Sequence, residues 1–291
     1  MSSTEVSFQV SELTLTAKHW ANPNGIPTLA LHGWLDNANT FDRLAPLLPE
    51  LNLVALDFAG HGYSDHRASG VHYASLLDIQ DVLTVADQLG WNTFNLIGHS
   101  MGASVSSELS GMFPERVESV ALIDGILSTG GVPLEERIDQ NREAIERMMA
   151  PSKPAKVFPD TETMAVRVTE ATDQSIEAAR VLVERGHKVV EGGVTWRTDP
   201  RIRFPTPMRP SIEYVDGLMA RCDSPTMLLV ANQGDEWYRG EVNLREASHP
   251  NLEVRYMDGP HHVHLEPKYF EQVAAEIRDF WNLDSEVAKA S

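Results

Sequence analysis

Residues 98–102 read Gly98-His99-Ser100-Met101-Gly102 and follow the apolar run Phe94-Asn95-Leu96-Ile97. A G-x-S-x-G pentapeptide between a strand and a helix holds its serine in a strained turn, with the hydroxyl exposed above the sheet. The flanking glycines leave room for strand and helix to pack around that turn. Small residues follow (Ala103, Ser104, Ser106, Ser107, Gly111), which suits a helix lying close on a sheet, and Pro114 should end it. A plainer reading makes Ser100 a helix cap in a glycine-rich turn.

A serine hydroxyl near neutral pH needs a base within hydrogen-bond reach, and the base needs an orienting acid. With this elbow the expected chain order is serine, acid, histidine, the histidine falling in the last strand-to-helix loop. That loop reads Asp258-Gly259-Pro260-His261-His262-Val263-His264-Leu265-Glu266. His261, first after the tight turn, is the expected base, His262 is its alternate, and His264 is a packing residue. No Cys/His group elsewhere has ligand-like spacing, so no metal is expected. Two acids compete. Asp124 ends the apolar run Val120–Ile123, and Asp235 follows the run Thr226–Val230; Asp124 is preferred and Asp235 is the alternate. The oxyanion needs two N–H donors. Met101 supplies one at a helix N-terminus, and Trp34, in His32-Gly33-Trp34-Leu35, supplies the other. The turn Asp57-Phe58-Ala59-Gly60-His61-Gly62-Tyr63-Ser64 reads as structural, shaping the cleft floor.

The elements that must hold these groups alternate strand and helix. Phe8–Val10 and Leu13–Thr16 suit an opening antiparallel pair. Buried strands are expected at Thr28–Leu31 and Leu53–Leu56, with Phe41, Leu44, Leu47 and Leu48 at helical spacing between them. A long amphipathic helix through Leu76–Leu89 stops at Gly90, and the last helix runs from about Pro267 to Trp281. This alternation implies a parallel sheet whose working rim is the carboxyl end of its strands. The rhythm breaks between residues 130 and 216, where helices are expected at Glu135–Met149, Thr161–Glu170 and Gln174–Arg185. Residues 1–129 and 217–291 therefore read as the core and 130–216 as a helical cap. Methionine adapts to varied apolar shapes, so Met148, Met149 and Met208 are assigned to the substrate-binding wall.

The chain has 291 residues, 42% of them hydrophobic and 23% charged, in the range of globular proteins. Its net charge of −18 argues against nucleic-acid partners and anionic membranes, and mildly disfavours strongly anionic substrates. No apolar run approaches the ~18 residues that cross a bilayer, and no basic-then-apolar leader opens the chain. One cysteine, Cys222, fits a reducing, cytoplasmic setting.

His32-Gly33-Trp34, Asp57-x-x-Gly60-His61-Gly62-x-Ser64, Gly98-His99-Ser100-Met101-Gly102 and the late His261 together resemble the α/β-hydrolase superfamily over essentially the whole chain. The stretch His32–Leu44, with Leu122-Ile123-Asp124, Arg185-Gly186 and Asp199-x-Arg201, is similar to the serine hydrolase-like (kraken-like) proteins. The resemblance implies an α/β-hydrolase fold with a helical cap and no cofactor. It places the acid at Asp124 and implies hydrolysis of a small-molecule ester through an acyl-enzyme on Ser100. Lactone, thioester or carbon–carbon bond hydrolysis by the same triad is the alternative, and a silent small-ligand-binding homologue is a third. Serine at position 100 argues against attack by an aspartate. Neither natural substrate nor oligomeric state follows from these residues.

Overall fold

Strand and helix alternate along the chain, as the periodicity requires. A computed structural model describes residues 2–130, 132–151, 155–206, 209–231 and 236–283. In chain order the strands are β1 (Thr4–Val10), β2 (Leu13–Trp20), β3 (Ile26–Leu31), β4 (Leu51–Leu56), β5 (Phe94–His99), β6 (Val117–Ile123), β7 (His187–Val190), β8 (Gly193–Trp196), β9 (Thr226–Val230) and β10 (Leu252–Tyr256). The helices are α1 (Ser75–Gln88), α2 (Met101–Met112), α3 (Leu134–Met149), α4 (Thr161–Thr169), α5 (Ile176–Gly186), α6 (Ile212–Met219), α7 (Glu236–Ser248) and α8 (Phe270–Phe280).

Eight strands form one sheet in the order β1-β2-β4-β3-β5-β6-β9-β10. β2 pairs antiparallel with β1 and β4, and the other pairings are parallel. Side chains alternate between two apolar layers, as a sheet covered on both faces demands. Leu29, Leu31, Val54, Leu56, Leu96 and Leu122 pack on one face with α1 and α2 residues. Ala30, Leu53, Ala55, Ile97, Ala121 and Ile123 pack on the other with Phe41, Leu44, Val273 and Ile277.

The chain leaves β3 toward β4 and then returns to lay β5 on β3's other side. That reversal opens a crevice at the carboxyl ends of β3 and β5, where open α/β sheets bind their ligands. The loop after β3 begins at His32, and the turn after β5 is Ser100.

Two elements depart from the sequence reading. The Phe41–Leu48 segment forms two short 3-10 turns, Ala38–Phe41 and Ala45–Leu47, not one helix. The Asn37 side chain caps the first, and Pro46 lacks the N–H a longer helix would need. The insertion between β6 and β9 is not purely helical, because β7 and β8 form an antiparallel hairpin. α6 packs on α2 through Leu218, Met219 and Met112. No helix among the described residues is long and apolar enough to cross a membrane.

Candidate active site

Ser100 follows β5 and caps α2 with its backbone at φ 52, ψ −112. That conformation costs a non-glycine residue on the order of 1–3 kcal/mol and persists only where surrounding packing imposes it. Two glycines make the imposition possible. A Cβ on Gly98 would come within 2.6 Å of the Ala103 Cα, and one on Gly102 would overlap the Leu31 carbonyl. Strain gathers on this rim. Of five described non-glycine residues with positive φ, three stand here: Leu35 (φ 66), Ser100 and Asp124 (φ 43).

Asp124 follows β6 and is buried. Its N–H donates to the Leu229 carbonyl (2.8 Å), and its Oδ1 accepts from Ala231 N–H (2.9 Å). Oδ2 then accepts from His261 Nδ1 at 2.7 Å. A carboxylate only accepts, so Nδ1 carries the imidazole proton and Nε2 keeps its lone pair. Burial lowers the His261 pKa, but the hydrogen bond and charge of Asp124, with Asp36 and Asp173, outweigh it and hold the group above its ordinary 6.5.

The structure brings Ser100, Asp124 and His261 to one cleft of about 470 Å³, a volume typical of small-molecule sites. Met101 and Trp34 line it too. Met101 is the first residue of α2, so its N–H has no carbonyl one helical turn back. Trp34 is half exposed, and its indole N–H donates to the Ile202 carbonyl (3.2 Å). Neither Met148 nor Met149 is on the cleft, and Met149 is 82% exposed. The assignment of that pair to the substrate wall is corrected: Ile202 and Phe204 of the insertion, with Ile126 and Tyr238, line the cleft. Met208 and Asp235 lie outside the described residues.

His262 faces away from the cleft. Its Nε2 contacts Asp36 Oδ2 at 3.0 Å and Oδ1 at 3.2 Å, and its Nδ1 is buried without a partner. His264 Nε2 meets Thr40 Oγ1 at 2.8 Å. His99 packs against all three late-loop rings, with centroids 4.3–4.8 Å away. Its Nε2 donates to the His261 carbonyl (3.1 Å), which fixes the loop carrying the base. His99 Nδ1 stands 3.4 Å from Asp36 Oδ2, an ion-pair distance without hydrogen-bond geometry. Burial lowers His99 to about 4, so it is neutral at pH 7 with its proton on Nε2. Burial pushes Asp36 up, and the charge and hydrogen bond of His262 overcome this and hold it well below the usual carboxylate range. Donor atoms of Asp36, His99 and His262 lie within 4.8 Å of one another. Asp36 and His262 Nε2 are joined at 3.0 Å by a charge-assisted hydrogen bond.

The sequence reading missed this support, although Asp36 sits in the His32–Leu44 stretch that carried the family resemblance. It missed the docking of the insertion as well. Asp57 Oδ1 accepts from Ala38 N–H (2.7 Å), and Oδ2 accepts from Tyr63 N–H (2.8 Å) and from Arg185 Nε of α5 (2.8 Å). Asn37 and Asn39 donate to the Leu182 and Val181 carbonyls. Asp173 Oδ2 accepts from the His261 N–H (3.2 Å), and Glu266 Oε1 from the Ser175 N–H (2.8 Å). His61, buried and lowered to about 3 by burial and by His32, has a floor position without charge.

Residues 27–155 match the family described as the alpha/beta hydrolase fold. A serine hydrolase-like protein of Danio rerio is 33% identical over 91% of this chain and 84% of its own length. A serine hydrolase-like protein 2 of Homo sapiens is 35% identical over 65% of this chain, an alignment spanning 62% of that protein. A crystal structure of a hypothetical protein from Pseudomonas aeruginosa PAO1 superimposes with a TM-score of 0.88 at 40% identity, covering 96% of this chain and 99% of that one.

Proposed function

This chain belongs to the α/β-hydrolase fold family, among the serine hydrolase-like proteins, and from that premise we propose that it is a carboxylesterase acting through Ser100. The observation that carries this reading is the 2.7 Å contact of His261 Nδ1 with buried Asp124, at a cleft that Ser100 also lines.

Ser100 Oγ attacks the carbonyl carbon and yields its proton to His261 Nε2. The oxyanion takes hydrogen bonds from the Met101 and Trp34 N–H groups, which cost no reorganisation because the backbone holds them. Collapse breaks the carbon–oxygen bond to the alcohol, which leaves with the proton from His261. Water then attacks the acyl-enzyme, giving its proton to His261, and the second collapse releases the acid and returns the proton to Ser100. Asp124 stabilises the imidazolium in both halves and holds the tautomer that each half needs.

The insertion acts as a cap over this rim. Three contacts support that role: Trp34 with Ile202, Asp173 with His261, and the cleft wall formed by Ile202, Phe204 and Pro205. Cys222, buried and free, supports a reducing compartment such as the cytoplasm.

The test is turnover of p-nitrophenyl esters of rising acyl length, with a thioester and a lactone in parallel, by the wild type and by Ser100→Ala. We expect ester turnover that Ser100→Ala reduces by several orders of magnitude. Faster turnover of the thioester or lactone would move the substrate class, and no turnover in the whole panel would support a silent binding protein.

A further inference from the structure

The cleft wall holds a cation that no carboxylate among the described residues neutralises. Arg209 lines the same cleft as Ser100 and His261. Its Nε is buried without a hydrogen-bond partner, and no carboxylate among the described residues lies within ion-pairing distance of its guanidinium. The group packs against the Gly130 backbone, where any Cβ would overlap Nη1. Arg137 stands beside it and donates only to neutral carbonyls, those of Val132 (3.2 Å), Pro210 (3.0 Å) and Arg209 itself (3.4 Å). Burial and the Arg137 charge both push Arg209 below its ordinary value, which marks an uncompensated positive site.

The other charges on this wall are already engaged. Arg201 pairs with Asp199. Asp78 pairs with Arg67 at 3.1 Å, and Glu108 accepts from the Tyr214 hydroxyl at 3.3 Å. Burial raises Asp78 to about 7, against the pull of Arg67, so its negative charge is weakened. A partly buried guanidinium without a partner is costly in a folded protein. It is more costly to explain in a chain of net charge −18, where carboxylates are abundant.

We propose that Arg209 binds an anionic group on the substrate, so that the ester cleaved at Ser100 carries a carboxylate or a phosphate at its far end. This rests on the esterase reading above and narrows its substrate class. A planar guanidinium takes either oxyanion in a two-pronged hydrogen bond. The overall negative charge, which reads against anionic substrates from composition alone, is overridden locally by Arg209 and Arg137.

The test uses two matched pairs of esters. In one the charge is on the acyl side: mono-p-nitrophenyl glutarate against its methyl ester. In the other it is on the alcohol side: the butyryl ester of 4-hydroxybenzoate against that of methyl 4-hydroxybenzoate. The readout is the ratio of kcat/KM for the anionic over the neutral member. In at least one pair, Arg209→Gln and Arg209→Ala should lower that ratio about 10- to 100-fold, as loss of a charged hydrogen bond does. Arg209→Lys should restore part of it, and raising the salt should lower it in the wild type. Butyrate and butyl phosphate as competitive inhibitors of neutral-ester turnover distinguish the two anions. Selective weakening of either one by Arg209→Gln supports the site. Ratios unchanged in both pairs, with neither inhibitor weakened, overturn it. A purely structural Arg209 would depress both members equally and leave the ratio unmoved. Neutral-ester turnover that depends on Ser100 keeps the esterase reading intact if this inference fails.

Discussion

Removing the Arg185 side chain should destabilise the protein far more than its distance from the chemistry suggests. Arg185 Nε reaches Asp57 Oδ2 at 2.8 Å, with both side chains no more than 2% exposed. Deleting one partner of such a buried pair strands the other charge and costs roughly 3–5 kcal/mol. Asp57 keeps two backbone donors, from Ala38 and Tyr63, so Arg185→Ala should fall near the lower end, about 3 kcal/mol. The rest of the guanidinium grips Glu5, which is half exposed, and that contact adds at most ~1 kcal/mol. Urea unfolding should show a reduced midpoint with an unchanged slope, and Tm should fall by roughly 6–12 °C. Glu5→Gln is the surface control and should cost under about 1 kcal/mol. The double variant Asp57→Asn/Arg185→Ala should lose less than the sum of its parts, because the amide removes the stranded charge. A loss below about 1 kcal/mol for Arg185→Ala, or strict additivity in the double variant, would refute the idea that this pair anchors the insertion to the core.

Further outcomes follow from the same geometry. Asp124→Asn should cut turnover on the order of 10⁴-fold, the scale seen when the triad acid is neutralised in a serine protease, while leaving the urea midpoint close to wild type; a loss under tenfold would reassign the acid. The base must be unprotonated, and Asp124 holds His261 above 6.5, so kcat/KM should rise with pH through an inflection above that value and level off beyond it. An inflection below 6.5 would contradict the stabilised imidazolium. Gly102→Ala sets a Cβ into the Leu31 carbonyl; backbone overlap of this kind should cost at least about 1–3 kcal/mol, and a variant of wild-type stability would show that α2 can shift away from β3.

The sheet and the rim were legible because they rest on local signals. Val120–Ile123 and Thr226–Val230 read as buried strands from β-branched and leucine runs, and they are β6 and β9. Ser100 and Asp124 directly follow β5 and β6, and His261 lies in the loop between β10 and α8, so their placement followed from the order of elements. The hairpin of β7 and β8 was missed although Val189-Val190-Glu191-Gly192-Gly193-Val194 carries its turn, because helical stretches on either side dominated the pattern. The assignment of Met148 and Met149 failed for a different reason. Composition marks a flexible apolar residue but not the direction its helix faces, and Met149 is on the exposed side of α3. The Asp36–His262–His99 support and the setting of Arg209, whose Nε has no hydrogen-bond partner among the described residues, are tertiary facts. Each joins residues distant in sequence, and each is defined by what stands beside it.

The central claim is that Ser100 is the nucleophile. It is tested most directly by reacting the protein with a small fluorophosphonate, digesting it and locating the adduct by mass spectrometry. One adduct per chain, on the peptide that carries Ser100, is the predicted result, with Ser100→Ala both unlabelled and inactive on an activated ester. An adduct on another serine, or a Ser100→Ala variant that turns the ester over at nearly the wild-type rate, would contradict the account.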